Sequence, residues 1–290
     1  MRILITGVAG FIGSHIAERL VKERHEVIGI DDLSAGYLKN IPDGVRFEQL
    51  DVTKIHEYSA LLDGVDVIFH QAASKKNICL RDPVRDMEVN GIGTLRLLTE
   101  AVNKGVRKFV HASTGSVYGE VNGEITEATA RNPVSYYGIS KMAGESYVSQ
   151  FADRMNTTIL RYFHVYGSRQ ESDQVTGGVV SIFTENIRKG SPIIIHGDGY
   201  QKRVFTHVSD IVEANIHSWQ NPLSAGKIYN CASSYQMTVI DLALLLMLRE
   251  RKKSDIIYSI PLQGDIRNFK VSTERITEIG VSFKPIYDVL

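Results

Sequence analysis

The chain has 290 residues, 43% of them hydrophobic and 23% charged, a balance that excludes a disordered or fibrous protein. Lys+Arg and Asp+Glu are equal at 33 each, so no global basic field exists for wrapping nucleic acid. Any anionic ligand must be held by a few placed cations and backbone amides.

The length suits one large α/β domain, or a main domain with a smaller lobe, and such a chain needs no disulfide or metal staple. Cys79 and Cys231 have no second Cys or His at metal-ligand spacing. They read as buried thiols of a reducing compartment, and no metal site is expected. No apolar run approaches the roughly 18 residues of a membrane span, and a strand starting near Arg2 leaves no room for a signal peptide. A cytoplasmic protein is expected.

In chain order, apolar runs predict a strand at Ile3–Thr6, a helix at Phe11–Lys22, and strands at Glu26–Ile30 and Val45–Leu50. Helix follows near Lys54–Leu62, then strand at Val65–His70, one long helix at Val84–Asn103 and strand at Val106–Ser113. A helix at Tyr136–Asp153 and a strand at Thr157–Phe163 close this half. Repeated strand–helix units with continuous apolar strands predict an α/β fold, a doubly wound parallel (Rossmann) sheet with ligands at the carboxyl ends of its strands. After Gly167 the rhythm changes. A polar stretch at Ser168–Gly178 precedes a helix at Val179–Lys189, strands at Ile193–Ile195 and Val204–His207, and a helix from Asp210. A strand at Lys227–Cys231, a helix at Val239–Leu248 and a strand at Asp255–Ile260 follow. The expectation is a dinucleotide-binding domain over 1–167. Residues 168–290 would form mainly a smaller substrate-binding lobe, with some segments returning to the first domain.

The turn between the first strand and helix is Gly7-Val8-Ala9-Gly10-Phe11-Ile12-Gly13. Gly7 permits the tight turn, Gly10 lets backbone approach a pyrophosphate, and Gly13 lets helix pack on strand. The helix N-terminus then offers free N–H groups to phosphate. Asp31 ends the second strand, near the spacing of about 20 residues expected for a ribose-binding carboxylate. A carboxylate there favours NAD over NADP, because it repels a 2′-phosphate. Asp32 adds to that repulsion or is a turn carboxylate, and no Arg or Lys stands nearby in sequence until Lys39.

Tyr137 and Lys141 are four residues apart, on one face of a helix. A free phenol near pKa 10 is a poor base, and bringing it to about 7 takes roughly 4 kcal/mol. Lys141, together with a positive nicotinamide ring, is expected to supply that. The preceding strand ends in Ser113-Thr114-Gly115-Ser116-Val117-Tyr118-Gly119, whose hydroxyls face the ligand crevice or serve as caps.

Together these motifs resemble the extended short-chain dehydrogenase/reductases, and within them the NAD-dependent nucleotide-sugar epimerase/dehydratase family typified by UDP-glucose 4-epimerase. Further marks are Arg161-Tyr162-Phe163-His164-Val165-Tyr166-Gly167, Gly197-Asp198-Gly199-Tyr200-Gln201-Lys202-Arg203 and Gly264-Asp265-Ile266-Arg267. The resemblance implies that Thr114 is the catalytic hydroxyl, Tyr137 the base and Lys141 its partner on the nicotinamide ribose. It places Asp51 and Val52 at adenine, Gln71, Ala72 and Ala73 over the nicotinamide ribose and phosphates, and Lys75 nearby. Asn90 would prop the central helix, and Arg203 and Arg267 would grip the nucleotide diphosphate. His164 stands where Asn is frequent, and either donates to a phosphate or is a satisfied core histidine. Gly115 and Ser116 replace the Asp-Glu pair of the dehydratases, which favours C4 epimerisation. A 4,6-dehydratase, a decarboxylase, a keto-sugar reductase and a non-catalytic NAD sensor or scaffold remain the alternatives. The resemblance also implies a homodimer and a UDP-linked substrate.

Overall fold

The computed structural model describes residues 1–74, 76–173, 177–261, 267 and 270–289. Seven strands form the central sheet: β1 Arg2–Thr6, β2 Glu26–Asp31, β3 Val45–Gln49, β4 Val67–His70, β5 Lys108–Thr114, β6 Asn156–Tyr162 and β7 Lys227–Cys231. Their order across the sheet is β3-β2-β1-β4-β5-β6-β7, and every neighbouring pair is parallel. The order reverses between β1 and β4, whose last paired residues are Thr6 and His70. At that point the chain leaves in opposite directions and opens a crevice beyond the strand ends. The main helices are α1 Phe11–Lys22, α2 Thr94–Asn103, α3 Tyr136–Gln150, α4 Val179–Lys189, α5 Val208–Gln220 and α6 Val239–Glu250.

Because alternate residues of a strand face opposite sides, the apolar strands feed two cores. On one face, Ile3, Ile5, Phe69 and Val110 pack with Ile16 and Leu20 of α1 and Ile211 and Ala214 of α5. On the other, Leu4, Ile68, Phe109 and Ile159 pack with Leu97, Leu98 and Ala101 of α2 and Val148 of α3. A third core joins Phe183 and Ile187 of α4, Leu242 and Leu246 of α6, and Ile193 and Ile195. Among the late elements, α5 and β7 lie on the central sheet itself.

Three predicted elements differ. The single helix expected at Val84–Asn103 is an α-turn at Pro83–Met87, a π-helical stretch at Glu88–Gly93 and then α2. Inside the π stretch the Asn90 side chain turns inward, bonding Asp86 and Ser140 and accepting from the Ser74 N–H, which places polar anchoring ahead of regular winding. The helix expected near Lys54–Leu62 is an α-turn at Ile55–Tyr58 followed by a 3₁₀ turn at Ser59–Leu62. The strand expected at Val204–His207 is divided at buried Phe205: Lys202–Val204 pairs antiparallel with Gln236–Thr238, and Thr206–His207 pairs parallel with Val165–Tyr166.

One buried ion pair fixes α3 on the sheet. Glu145 is fully buried, and Arg161 of β6 donates to both its oxygens, Nε to Oε1 at 2.8 Å and Nη2 to Oε2 at 2.7 Å. Ser113 donates to the same carboxylate at 2.6 Å, while Arg161 Nη1 donates to the Tyr118 hydroxyl at 2.6 Å. Removing one member strands a buried charge, so Glu145→Ala is expected to cost about 3–5 kcal/mol in urea unfolding.

Lys108, at the opposite end of β5, is a buried cation with neutral partners. Its Nζ donates to Asn156 Oδ1 at 2.9 Å, Thr158 Oγ1 at 2.7 Å and Ser224 Oγ at 2.7 Å, and burial pulls its pKa down to about 7. Between about pH 7 and the ordinary lysine value near 10.4, the unfolded chain binds a proton that the folded chain does not. The cost to stability is therefore fully present below pH 7 and fades as pH rises. Urea unfolding of the parent against Lys108→Met should show the difference moving in the parent's favour between pH 7 and 10, by up to about 1.4 kcal/mol per pH unit.

Candidate active site

The glycine turn at the end of β1 is required by space. Gly7 has φ of 73°, and a Cβ there would lie 2.7 Å from the Ala72 nitrogen. A Cβ on Gly13 would lie 2.2 Å from the Gly7 carbonyl oxygen. Gly10 caps α1 with no side-chain bond, so the first N–H groups of the helix face the crevice. Asp31 closes this end: Oδ2 accepts from the Ala9 N–H at 3.0 Å and Oδ1 from the Leu33 N–H at 2.8 Å.

A cavity of about 310 Å³ runs along the carboxyl ends of β1, β2, β4 and β5. It is lined by Gly7, Gly10, Phe11, Ile12, Gly13, Asp31, Asp32 and Val52 on one side, and by Gln71, Ala72, Ala73, Ser113, Tyr137 and Lys141 on the other. The structure thus gathers most of the predicted site residues around one space. Thr114 stands at the Tyr137 phenol and is the neighbour that eases its ionisation. Asp51 accepts from Thr53 and from Arg85. Lys75 lies outside the described residues.

The three residues expected at the diphosphate do not line this cavity. His164 sits in the left-handed region, φ 37°, with its ring edge-on to Phe205. Arg203 is buried, on a short strand, and donates to the Lys202 carbonyl at 2.8 Å. Arg267 is exposed and holds Asp198 through two bonds of 2.8 Å, beside a second hollow that includes Tyr200, Gln201 and Tyr258.

Arg85 was not anticipated. It lines the cavity, bonds Asp51 Oδ2 at 2.8 Å and comes within 3.5 Å of Asp32. The absence of a nearby cation in sequence is therefore corrected in space. No local signal reveals this, since Arg85 and Asp51 are 34 residues apart.

The electrostatics of the pair in the protein alone are set by burial. Lys141 together with a positive nicotinamide ring was expected to make the phenol more acidic. In the protein alone, burial holds Tyr137 well above the ordinary phenol value, the Cys79 and Asp86 side chains add to that, and the Thr114 hydrogen bond opposes them. Burial likewise pulls Lys141 down to about 8 against the raising effect of Glu145 and Asp86. Burial disfavours phenolate and ammonium alike in the protein alone.

Residues 3–232 match the NAD dependent epimerase/dehydratase family. The chain belongs to that family. It is 33% identical to a putative UDP-glucose 4-epimerase of Methanocaldococcus jannaschii, over 99% of this chain and 94% of the relative. It is similar to the UDP-glucose 4-epimerase of Thermotoga maritima solved with UDP-glucose, at 34% identity and a TM-score of 0.93 over 98% of this chain and 94% of that one. It is also similar to the Thermus thermophilus UDP-glucose 4-epimerase complex with NAD, at 33% identity and a TM-score of 0.89 over 99% and 94%. No helix among the described residues is long and apolar enough to cross a membrane.

The glycine cradle fits the family's dinucleotide. Gly13→Ala forces a methyl group onto the Gly7 carbonyl and must displace the turn. NAD affinity, read by titration of the purified protein, should fall about tenfold or more, the equivalent of 1.4 kcal/mol.

Proposed function

We propose that the protein interconverts C4 epimers of a nucleotide-diphosphate sugar, with UDP as the nucleotide and NAD retained through turnover. The observation that supports this reading is that Tyr137 and Lys141, with Thr114 at the Tyr137 phenol, meet on a cavity that the glycine turn and Asp31 also line. Bound NAD would supply the reversible hydride acceptor that oxidation and re-reduction at the sugar C4 require. The glycine turn, Phe11, Ile12 and the open α1 N-terminus would hold its pyrophosphate, Asp31 and Asp32 its adenosine ribose, and Asp51 and Val52 its adenine. Gln71, Ala72, Ala73 and Lys75 would bound the nicotinamide half.

Tyr137 takes the proton of the sugar 4-hydroxyl and later gives it back, and Thr114 holds the same oxygen. Since burial works against the phenolate, the phenol is activated only once positive charge is bound beside it, which couples proton removal to the loaded site. Arg203 anchors the diphosphate while the flat keto sugar turns, and Arg267 joins it by exchanging Asp198 for phosphate. His164, beside Phe205, bounds the same region.

Epimerisation is favoured over dehydration by the space after Thr114. A Cβ on Gly115 would lie 2.3 Å from the Phe163 ring, so an acid cannot be seated there without moving that ring. Residues 1–167 with α5 and β7 would bind NAD, and the remainder of 168–290 the nucleotide sugar. A homodimer through α3 and the Pro83–Asn103 segment is supported by exposed Val84, Ile92, Ile139 and Tyr147 on those elements. The cytoplasm is the proposed location.

The test is a panel of UDP-sugars with products read by NMR. A new 4-epimer at constant NAD is the expected result. A 4-keto-6-deoxy product would assign a dehydratase, and NAD retained without any conversion would assign a sensor. Tyr137→Phe should keep NAD and lose at least about 100-fold in kcat, and near-normal turnover would remove Tyr137 as the base.

A further inference from the structure

Behind the Tyr137–Lys141 pair lies a buried carboxylate that the proposed reaction does not use. Asp86, in the turn Pro83–Met87, is 1% exposed. Its Oδ1 accepts from the Cys79 thiol at 2.9 Å and from Asn90 Nδ2 at 2.8 Å. Both donors are neutral, and Oδ2 is buried with no hydrogen-bond partner among the described residues. The Lys141 ammonium is buried as well, and its Nζ has no hydrogen-bond partner among them either. Two groups of opposite charge are thus withdrawn from water, the carboxylate bonded only to neutral donors on one oxygen and the ammonium unbonded among the described residues, a costly arrangement unless each compensates the other. Asn90 joins them structurally, because its Nδ2 also lies 3.0 Å from Ser140 Oγ, which donates to the Tyr137 carbonyl at 3.1 Å.

We propose that Asp86 is the counter-charge of the Lys141 ammonium and hence a positioning residue for the tyrosine–lysine pair. This role rests on the reading of Tyr137 and Lys141 as the working pair. Glu145 is the other acid acting on Lys141, but its carboxylate is engaged by Arg161, Ser113 and Arg131. Asp86 has no such cation among the described residues. Arg85, its chain neighbour, is turned toward Asp51, and Glu88 bonds the same guanidinium. From the sheet, His70 and His111 face Lys141, and burial keeps both neutral. Cys79 is kept a neutral thiol by burial and by Asp86 itself. Asp86 supports the ammonium and opposes the phenolate, so it holds the resting pair in the state from which bound positive charge releases the tyrosine proton.

The test is a stability cycle and a titration, both at saturating NAD. Asp86→Asn, Lys141→Met and the double variant are unfolded in urea. Asp86→Asn should lower the midpoint in the parent, and much less in the Lys141→Met background. Should Asp86→Asn alone not fold, the double variant should recover a cooperative transition. Losses that simply add, or a double variant that also fails to fold, overturn the proposal. The 13C-labelled Lys141 side chain, assigned by its loss in Lys141→Met, should titrate at least about one pH unit lower in Asp86→Asn. An unmoved midpoint overturns the proposal and leaves Asp86 a packing role. Neither readout needs turnover, so this result is separable from the outcome of the sugar panel.

Discussion

The site depends on one constraint, the register of α3 against the sheet, and the Glu145–Arg161 pair sets it. Tyr137, Lys141 and Glu145 follow one another at intervals of four and share one helix face. The pair clamps the last of the three to β6, and the first two are thereby aimed at the carboxyl ends of β4 and β5. Two glycines let the helix sit close enough for this. A Cβ on Gly138 would lie 2.7 Å from the Ser116 carbonyl oxygen, and one on Gly144 would lie 2.6 Å from that of Asn90. The helix is held by polar groups and close backbone approach, a geometry that tolerates little sliding. A positioned phenol benefits from that rigidity, because small displacements of a reacting group are expensive in rate.

The same burial that gives precision sets the resting chemistry. A phenol and an amine withdrawn from water each prefer the neutral form. The acids in the layer, Glu145 and Asp86, favour the ammonium, and Asp86 also discourages the phenolate. Such a site is a weak base until positive charge enters the cavity.

Much of the fold was readable because its signals are local. Continuous apolar strands such as Val67–His70, and the Gly7–Gly13 turn, state their roles within a few residues of chain. The spacing of Tyr137 and Lys141 fixed their common face for the same reason. What escaped was non-local or set by burial. Arg85 reaches Asp51 only through the fold. The direction of the Tyr137 shift depends on desolvation, which a motif does not encode. The π stretch arises from Asn90 bonding groups on three separate segments. The inner face of α3 carries Ser140, Lys141, Gly144 and Glu145, so hydrophobic periodicity locates the helix but says little about which side is buried.

The two arginines expected at the diphosphate show where sequence resemblance meets its physical limit. A motif assigns Arg203 and Arg267 a common duty, yet one is buried and the other exposed. A buried guanidinium has already lost its water, so gripping phosphate costs it little further desolvation. An exposed one paired to Asp198 must give up two charge-assisted bonds before it gains others. The net gain at Arg267 is then a difference between two similar ion pairs, which is small. Under the proposed function, Arg267 therefore adds little net affinity for the diphosphate, and exchanging Asp198 for phosphate suits it to closure over substrate once that has arrived.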